Sequence, residues 1–196
     1  MPYDPLSASG PGEGLNYPPS YWVATAGVEP DDDGILEGDH ETDIAIIGGG
    51  YTGLSSAYHI ARKHGVTPVV LEANRIGWGC SGRNGGFVRC ALGRLEYSAW
   101  IKKWGLKDAQ ALFNECRSAV ELTRQIAKDS SINCDLQLVG GLEIAHLESR
   151  CESLKAKQKL LKDYFDFDAE FIDADALEAR YYRGNEAFGA LCEESS

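Results

Sequence analysis

A chain of 196 residues with 43% hydrophobic and 25% charged content has the make-up of a globular protein, one domain or one and part of a second. Its formal net charge of −11 argues against nucleic acid and anionic membrane as partners, and no run approaches the roughly 18 apolar residues of a membrane span. The six cysteines form no C-x-x-C pair, and the four histidines stand at no ligand-like spacing from them; free thiols, no metal site and a cytoplasmic protein are predicted.

Residues 1–40 read as an arm rich in Pro, Gly and Asp, with neither the basic start nor the apolar stretch of a signal peptide. Inside it, YPPSYWVATA gathers Tyr17, Tyr21 and Trp22. That segment either lies against a folded body or belongs to a disordered leader.

Regular structure is predicted from Thr42. Ile44, Ala45, Ile46 and Ile47 form an apolar run that stops at glycine, the pattern of a strand buried on both faces of a parallel sheet. YTGLSSAYHIARKHG then sets Leu54, Ala57, Tyr58 and Ala61 at helical spacing, with basic residues in the last turn and Gly65 beyond. VVLEA, residues 69–73, is the next strand and completes a βαβ unit.

Downstream, residues 106–128 predict a long amphipathic helix with Ala109, Leu112, Phe113, Cys116, Val120 and Leu122 near one face. CDLQLVGGLEIAH, residues 134–146, alternates around Gly140 and Gly141 and reads as a hairpin or two sheet strands. A helix over 147–165, the strand AEFID, an Asp173-capped helix DALEARYY and a last strand AFGALCE follow. That apolar last strand, followed only by a polar tail, predicts an uncovered sheet edge and a further C-terminal portion. The fold class is α/β: a Rossmann-like βαβ domain over 41–140, then over 141–196 the beginning of an α+β substrate domain.

Gly48, Gly50 and Gly53 give G-x-G-x-x-G between a strand and a helix. The first glycine allows the tight turn, the second admits a diphosphate to the backbone, and the third lets helix and strand pack closely. The helix N-terminus offers N–H groups and the positive end of its dipole. Glu72, at the tip of the second strand, is the acid expected at the ribose hydroxyls.

A second glycine-dense stretch, GWGCSGRNGG, follows at residues 77–86. A nicotinamide dinucleotide needs one such loop; a second at the same sheet edge suits a longer, mostly buried cofactor such as FAD. Ser81 offers a hydroxyl, Arg83 a cation and Asn84 a side chain able to hold a turn, while Gly85 and Gly86 allow backbone close to a flat ring.

At TDIAIIGGGYTGLSSAY, VVLEANRIGWGCSGRNGGF and YPPSYW the chain resembles the D-amino-acid-oxidase-type FAD-dependent oxidoreductases, nearest their gamma-glutamylputrescine oxidoreductase-like branch. The resemblance implies bound FAD, oxidation of a C–N bond of a small-molecule amine by hydride transfer to the flavin, imine hydrolysis and reoxidation by oxygen. It implies Gly48, Gly50, Tyr51, Thr52 and Gly53 at the diphosphate and Glu72, with Ala73 beside it, at the ribose. Ser81, Arg83, Asn84, Gly85 and Gly86 would form the second loop towards the flavin.

No catalytic acid, base or nucleophile is assigned. His146 and Tyr164 read as structural, Cys80 as a small filler, and Trp100 and Trp104 as helix packing. An NAD-dependent dehydrogenase and a catalytically inactive nucleotide-binding fragment stay open as alternatives, and the sequence sets no oligomeric state.

Overall fold

The computed structural model describes residues 15–29, 31–181, 184 and 186–193. Residues 1–14 of the arm, the Tyr182 end of the expected DALEARYY helix and the polar tail at 194–196 lie outside the described residues. Internal contacts divide the chain into two compact units, one ending at Phe87 and the other beginning at Val88. The expected boundary at residue 140 lies inside the second of these units, in which the long helix Leu106–Asp129 packs on the helices Tyr97–Trp104 and Glu148–Phe165.

In the first unit, arm residues Tyr21–Thr25 form a short helix α1, whose N-cap Ser20 accepts the Val23 N–H through Oγ at 3.3 Å. Strands β1 (Ala45–Ile47) and β2 (Val69–Leu71) run parallel, with Ile46 opposite Val70. Helix α2 (Tyr51–His64) joins them. Arg62, Lys63 and His64 complement the negative end of its dipole, and Gly65, at φ 67°, returns its N–H to Ala61 O at 2.9 Å.

The expectation that β1 is buried on both faces is corrected. Ile47 is 90% exposed and Val69 40% exposed. A two-stranded sheet covered by one helix cannot enclose both faces, so the apolar run records an environment that these two strands do not supply. Among the described residues every buried hydrophobic side chain lies at Tyr97 or beyond. The first unit is therefore held by its backbone and loop hydrogen bonds more than by a core.

The second unit carries that core. Helices α3 (Tyr97–Trp104), α4 (Leu106–Asp129) and α5 (Glu148–Phe165) bring together Tyr97, Trp100, Phe113 and Phe165. Phe113 and Phe165 meet at 4.8 Å between centroids with their planes tilted by 39°, and Tyr97 meets Phe113 edge-on at 5.5 Å. Each side chain enclosed this way contributes about 1.5–3 kcal/mol. Of the face expected on α4, Ala109 and Phe113 are buried, Leu112, Cys116 and Val120 are partly so, and Leu122 is exposed.

Strands β3 (Gly141–Ile144), β4 (Ala169–Asp173) and β5 (Gly189–Glu193) form an antiparallel sheet in the order β3-β5-β4. Helix α6 (Ala174–Arg180) follows β4, its N-cap Asp173 accepting the Ala176 N–H at 2.9 Å as expected. Two expectations fail here. The last strand is central and covered: Leu142 pairs with Cys192, Phe171 with Leu191, and Leu191 is fully buried. Its neighbours precede it in the chain, which a reading in chain order overlooks. Residues 134–139 form no strand, and β3 pairs with β5 instead of closing a hairpin. Gly140, in the left-handed region at φ 73°, admits the chain to β3, and Val139 beside it stays 79% exposed.

Two titratable groups in this unit are displaced. Burial, then the neighbouring Cys116, pushes the Cys90 thiol up to about 12. Burial works against the charge of Lys157, but its ion pairs with Glu143 at 2.8 Å and Glu193 at 2.6 Å prevail and leave it raised.

Among the described residues all six cysteines are free, no cluster of three or more His, Cys, Asp or Glu side chains is placed to hold a metal, and no helix is long and apolar enough to cross a membrane.

Candidate functional site

The two glycine loops meet where β1 and β2 end. Gly48, at φ 99°, turns the chain out of β1 and ties back through its N–H to Leu71 O at 2.8 Å. Gly49 is buried, and Gly50 is the N-cap of α2. A Cβ on Gly53 would lie 1.9 Å from Gly48 O, so only glycine lets the helix sit this close to the turn.

Glu72 directly follows β2 and engages the first loop. Its Oε2 accepts the Gly49 N–H at 2.6 Å, and its Oε1 accepts the Asn74 N–H at 3.1 Å. Ala73, beside it, is exposed.

The second loop folds back onto the same helix end. Gly77 N–H donates to Gly49 O at 2.9 Å. The short 3-10 turn Cys80–Gly82 carries Ser81 to α2, where its Oγ accepts the Tyr51 N–H at 3.0 Å. Gly50 has no side chain with which to cap the helix, and a Cβ there would lie 2.9 Å from Ser81 Oγ. The first turn of a helix has several N–H groups without intrahelical acceptors. Ser81 serves that of Tyr51; those of Thr52 and Gly53 follow in the same turn.

Asn84 ties the loop together. Its Nδ2 donates to Ser81 O at 2.7 Å and to the Tyr51 hydroxyl at 3.2 Å, while its Oδ1 accepts the Gly86 N–H at 2.8 Å. Arg83 turns inward to its own loop: Nε donates to Trp78 O at 2.8 Å and the guanidinium stacks 4.0 Å from the Trp78 ring centroid. Gly85 faces the Phe87 ring, where a Cβ would lie at 3.1 Å.

The arm completes the site, and no residue of it was singled out from sequence as a site residue. Of the two readings of YPPSYWVATA, residues 15–29 take the docked one. Trp22 Nε1 donates to Asn84 O at 2.7 Å, and its ring covers Gly86 so closely that a Cβ there would lie 2.4 Å away. The flat ring that these glycines admit is thus, within this chain, an indole. Tyr17 donates its hydroxyl proton to Ile76 O at 2.8 Å, Trp78 Nε1 donates to Asn16 O at 3.1 Å, and Arg75 pairs with Glu29. Burial, then the Glu29 carboxylate, raises the Tyr17 hydroxyl pKa. The available signal was three aromatics in an arm opposite a loop too rich in glycine to bury itself.

The residues present fit a dinucleotide diphosphate. They provide a left-handed glycine turn, a helix N-terminus with a glycine cap, donors in its first turn and a carboxylate at the adjoining strand end. The remaining candidates fall elsewhere. Trp100 is wholly buried and Trp104 packs against the same core, while His146 and Tyr164 are exposed.

Residues 43–195 match the family described as FAD dependent oxidoreductase. The chain is 36% identical over 153 residues to gamma-glutamylputrescine oxidoreductase of Escherichia coli K12, covering 78% of this chain and 35% of that protein. It is 50% identical over 48 residues to the beta subunit of sarcosine oxidase of Rhizobium meliloti, covering 24% and 12% respectively. It therefore spans about a third or less of the length of these curated relatives. The crystal structure of glycine oxidase from Bacillus cereus superposes with a TM-score of 0.56 over 79% of this chain and 39% of that one, at 19% identity, a likeness of fold.

Proposed function

This chain belongs to the FAD dependent oxidoreductase family, and we propose that it carries the nucleotide-binding part of an enzyme oxidising a C–N bond of an amine or amino-acid-like substrate of the gamma-glutamylputrescine class, with oxygen as final electron acceptor. Similarity to gamma-glutamylputrescine oxidoreductase and to sarcosine oxidase supports the substrate class. The nicotinamide alternative gives way to the family match. The observation that carries the reading is the meeting of both glycine loops at one helix N-terminus, through Ser81 and Tyr51.

In this reading Gly48, Gly50, Tyr51, Thr52 and Gly53 line the diphosphate, the Thr52 and Gly53 N–H groups donating to it while those of Gly48 and Tyr51 are held by Leu71 O and Ser81 Oγ, and Glu72 with Ala73 lies at the ribose. The loop of Ser81, Arg83, Asn84, Gly85 and Gly86 borders the site on the side of the ring system, with Arg83 engaged by Trp78 and Gly86 covered by Trp22. The Glu72 carboxylate disfavours a 2′-phosphate. When bound, FAD supplies the two-electron acceptor for amine oxidation. The chain's own share is to bind and orient. The proposed compartment is the cytoplasm and the partner a small amine.

The test is titration of the purified chain with FAD, followed by flavin absorbance and by peroxide release on gamma-glutamylated putrescine and simple amines. Binding of FAD in preference to NAD is expected. Protein that takes up no flavin, or prefers NAD, overturns the reading.

A further inference from the structure

We infer that Trp22, in the N-terminal arm, is a positioning residue for the nucleotide site: it fixes the second glycine loop in the shape that caps helix α2. The inference extends the FAD reading, but its structural half stands without it. The geometry forms one chain of contacts. Trp22 Nε1 holds Asn84 O at 2.7 Å while the indole covers Gly86. With its backbone held there, the Asn84 side chain binds the Gly86 N–H, Ser81 O and the Tyr51 hydroxyl. Ser81 in turn accepts the Tyr51 N–H at the start of α2.

Among the described residues the other arm contacts fall at Asn74, Arg75, Ile76 and Trp78, at the start of the loop, and Trp22 is the arm residue that reaches Asn84 and Gly86. The loop lacks side chains at Gly77, Gly79, Gly82, Gly85 and Gly86, and glycine-rich backbone loses more conformational freedom on ordering than any other. No apolar side chain of the unit is buried beneath it among the described residues. An external ring with one directed N–H supplies both the packing and the register that the loop lacks. Gly86, at φ 72°, combines a left-handed backbone with the absence of a Cβ, and both are needed for the indole to rest on it.

The flavin consequence is a matter of linkage. A loop already held in its binding shape is not charged the ordering entropy when the nucleotide arrives, and ligand that orders the loop must also hold the arm. Arm docking and FAD binding therefore strengthen each other.

The experiment compares the full chain with Trp22→Phe and Trp22→Ala, first by hydrogen exchange without FAD, then by FAD titration. In Trp22→Ala the Tyr51 and Gly86 amides should exchange faster, while the Gly48 amide, bonded to Leu71 O, and the amides of the second unit keep their rates. FAD affinity should fall about fivefold to tenfold, the scale of one lost hydrogen bond with its packing. Trp22→Phe, which keeps a ring and loses the N–H, should fall between. It also decides the matter if Trp22→Ala unfolds the first unit. Unchanged Tyr51 and Gly86 exchange in both variants overturns the inference. Wild-type protein that binds no FAD overturns the functional reading instead, and leaves the exchange result to judge Trp22.

Discussion

Glu72 closes the first glycine loop by accepting the Gly49 N–H at 2.6 Å. The carboxylate is therefore both part of the loop's architecture and the group proposed to meet the ribose. Replacing it with Ala should weaken FAD binding by about 1.5–3 kcal/mol, the scale of a charged hydrogen bond. Glu72→Gln keeps one oxygen to accept from Gly49 and should retain the fold while losing part of that affinity. Titration of both variants with FAD, beside their thermal unfolding, separates the two roles; unchanged affinity in both would confine Glu72 to the loop.

Gly53 should tolerate no side chain. Its Cβ would lie 1.9 Å from a backbone oxygen and 3.4 Å from Ile46, and backbone cannot swing aside as a flexible side chain does. Gly53→Ala should cost about 3 kcal/mol or more, enough to detach α2 from β1. Gly141→Ala is the control, since nothing lies within 4 Å of a Cβ there; it should change stability by no more than about 0.5 kcal/mol. Circular dichroism of the two variants measures the contrast.

What was legible in the sequence was whatever depends on local pattern. The glycine spacing, the basic last turn before Gly65 and the cap at Asp173 all act within a few residues, and each appears where expected. What stayed hidden depends on partners distant in the chain. The central place of β5 follows from pairing with Leu142 and Phe171, tens of residues upstream. The role of Trp22 required knowing that a ring 64 positions before Gly86 would land on it. The exposure of Ile47 escaped because apolar composition states a preference for burial and does not name the cover.

The second unit should lose stability in alkali. Folding holds the Cys90 thiol protonated up to about 12, against an ordinary 9.0. Between these values the unfolded chain releases a proton that the folded one keeps, so stability is full below about pH 9 and falls as pH rises. Lys157, its pKa also raised by Glu143 and Glu193, adds stability below the ordinary lysine value of 10.5 that is lost as pH climbs through the folded one. Urea unfolding at pH 7.5, 9 and 11 should show a plateau and then a decline, and Cys90→Ala should flatten that decline. Equal slopes for both proteins would remove Cys90 from the account.

Self-association should begin at β1 and not at the last strand, whose edge the sequence reading leaves uncovered. β5 is paired on both sides and its Leu191 is buried, which leaves it no free edge. Among the described residues β1 and β2 pair only with each other, and Ile47 stands 90% exposed on the sheet. An apolar side chain beside an unpaired strand edge combines the two features that recruit another chain: open backbone hydrogen bonds and surface that water disfavours. Ile47→Thr removes the second and keeps a β-branched side chain that suits the strand. It should lower light scattering at high concentration while shifting stability by no more than about 0.5 kcal/mol. Val139→Thr is the comparison, because Val139 is similarly bare, at 79% exposure, yet lies in a stretch without strand structure. It should reduce scattering far less. If Val139→Thr helps as much as Ile47→Thr, exposed apolar area alone drives association and the open edge of β1 has no special part in it.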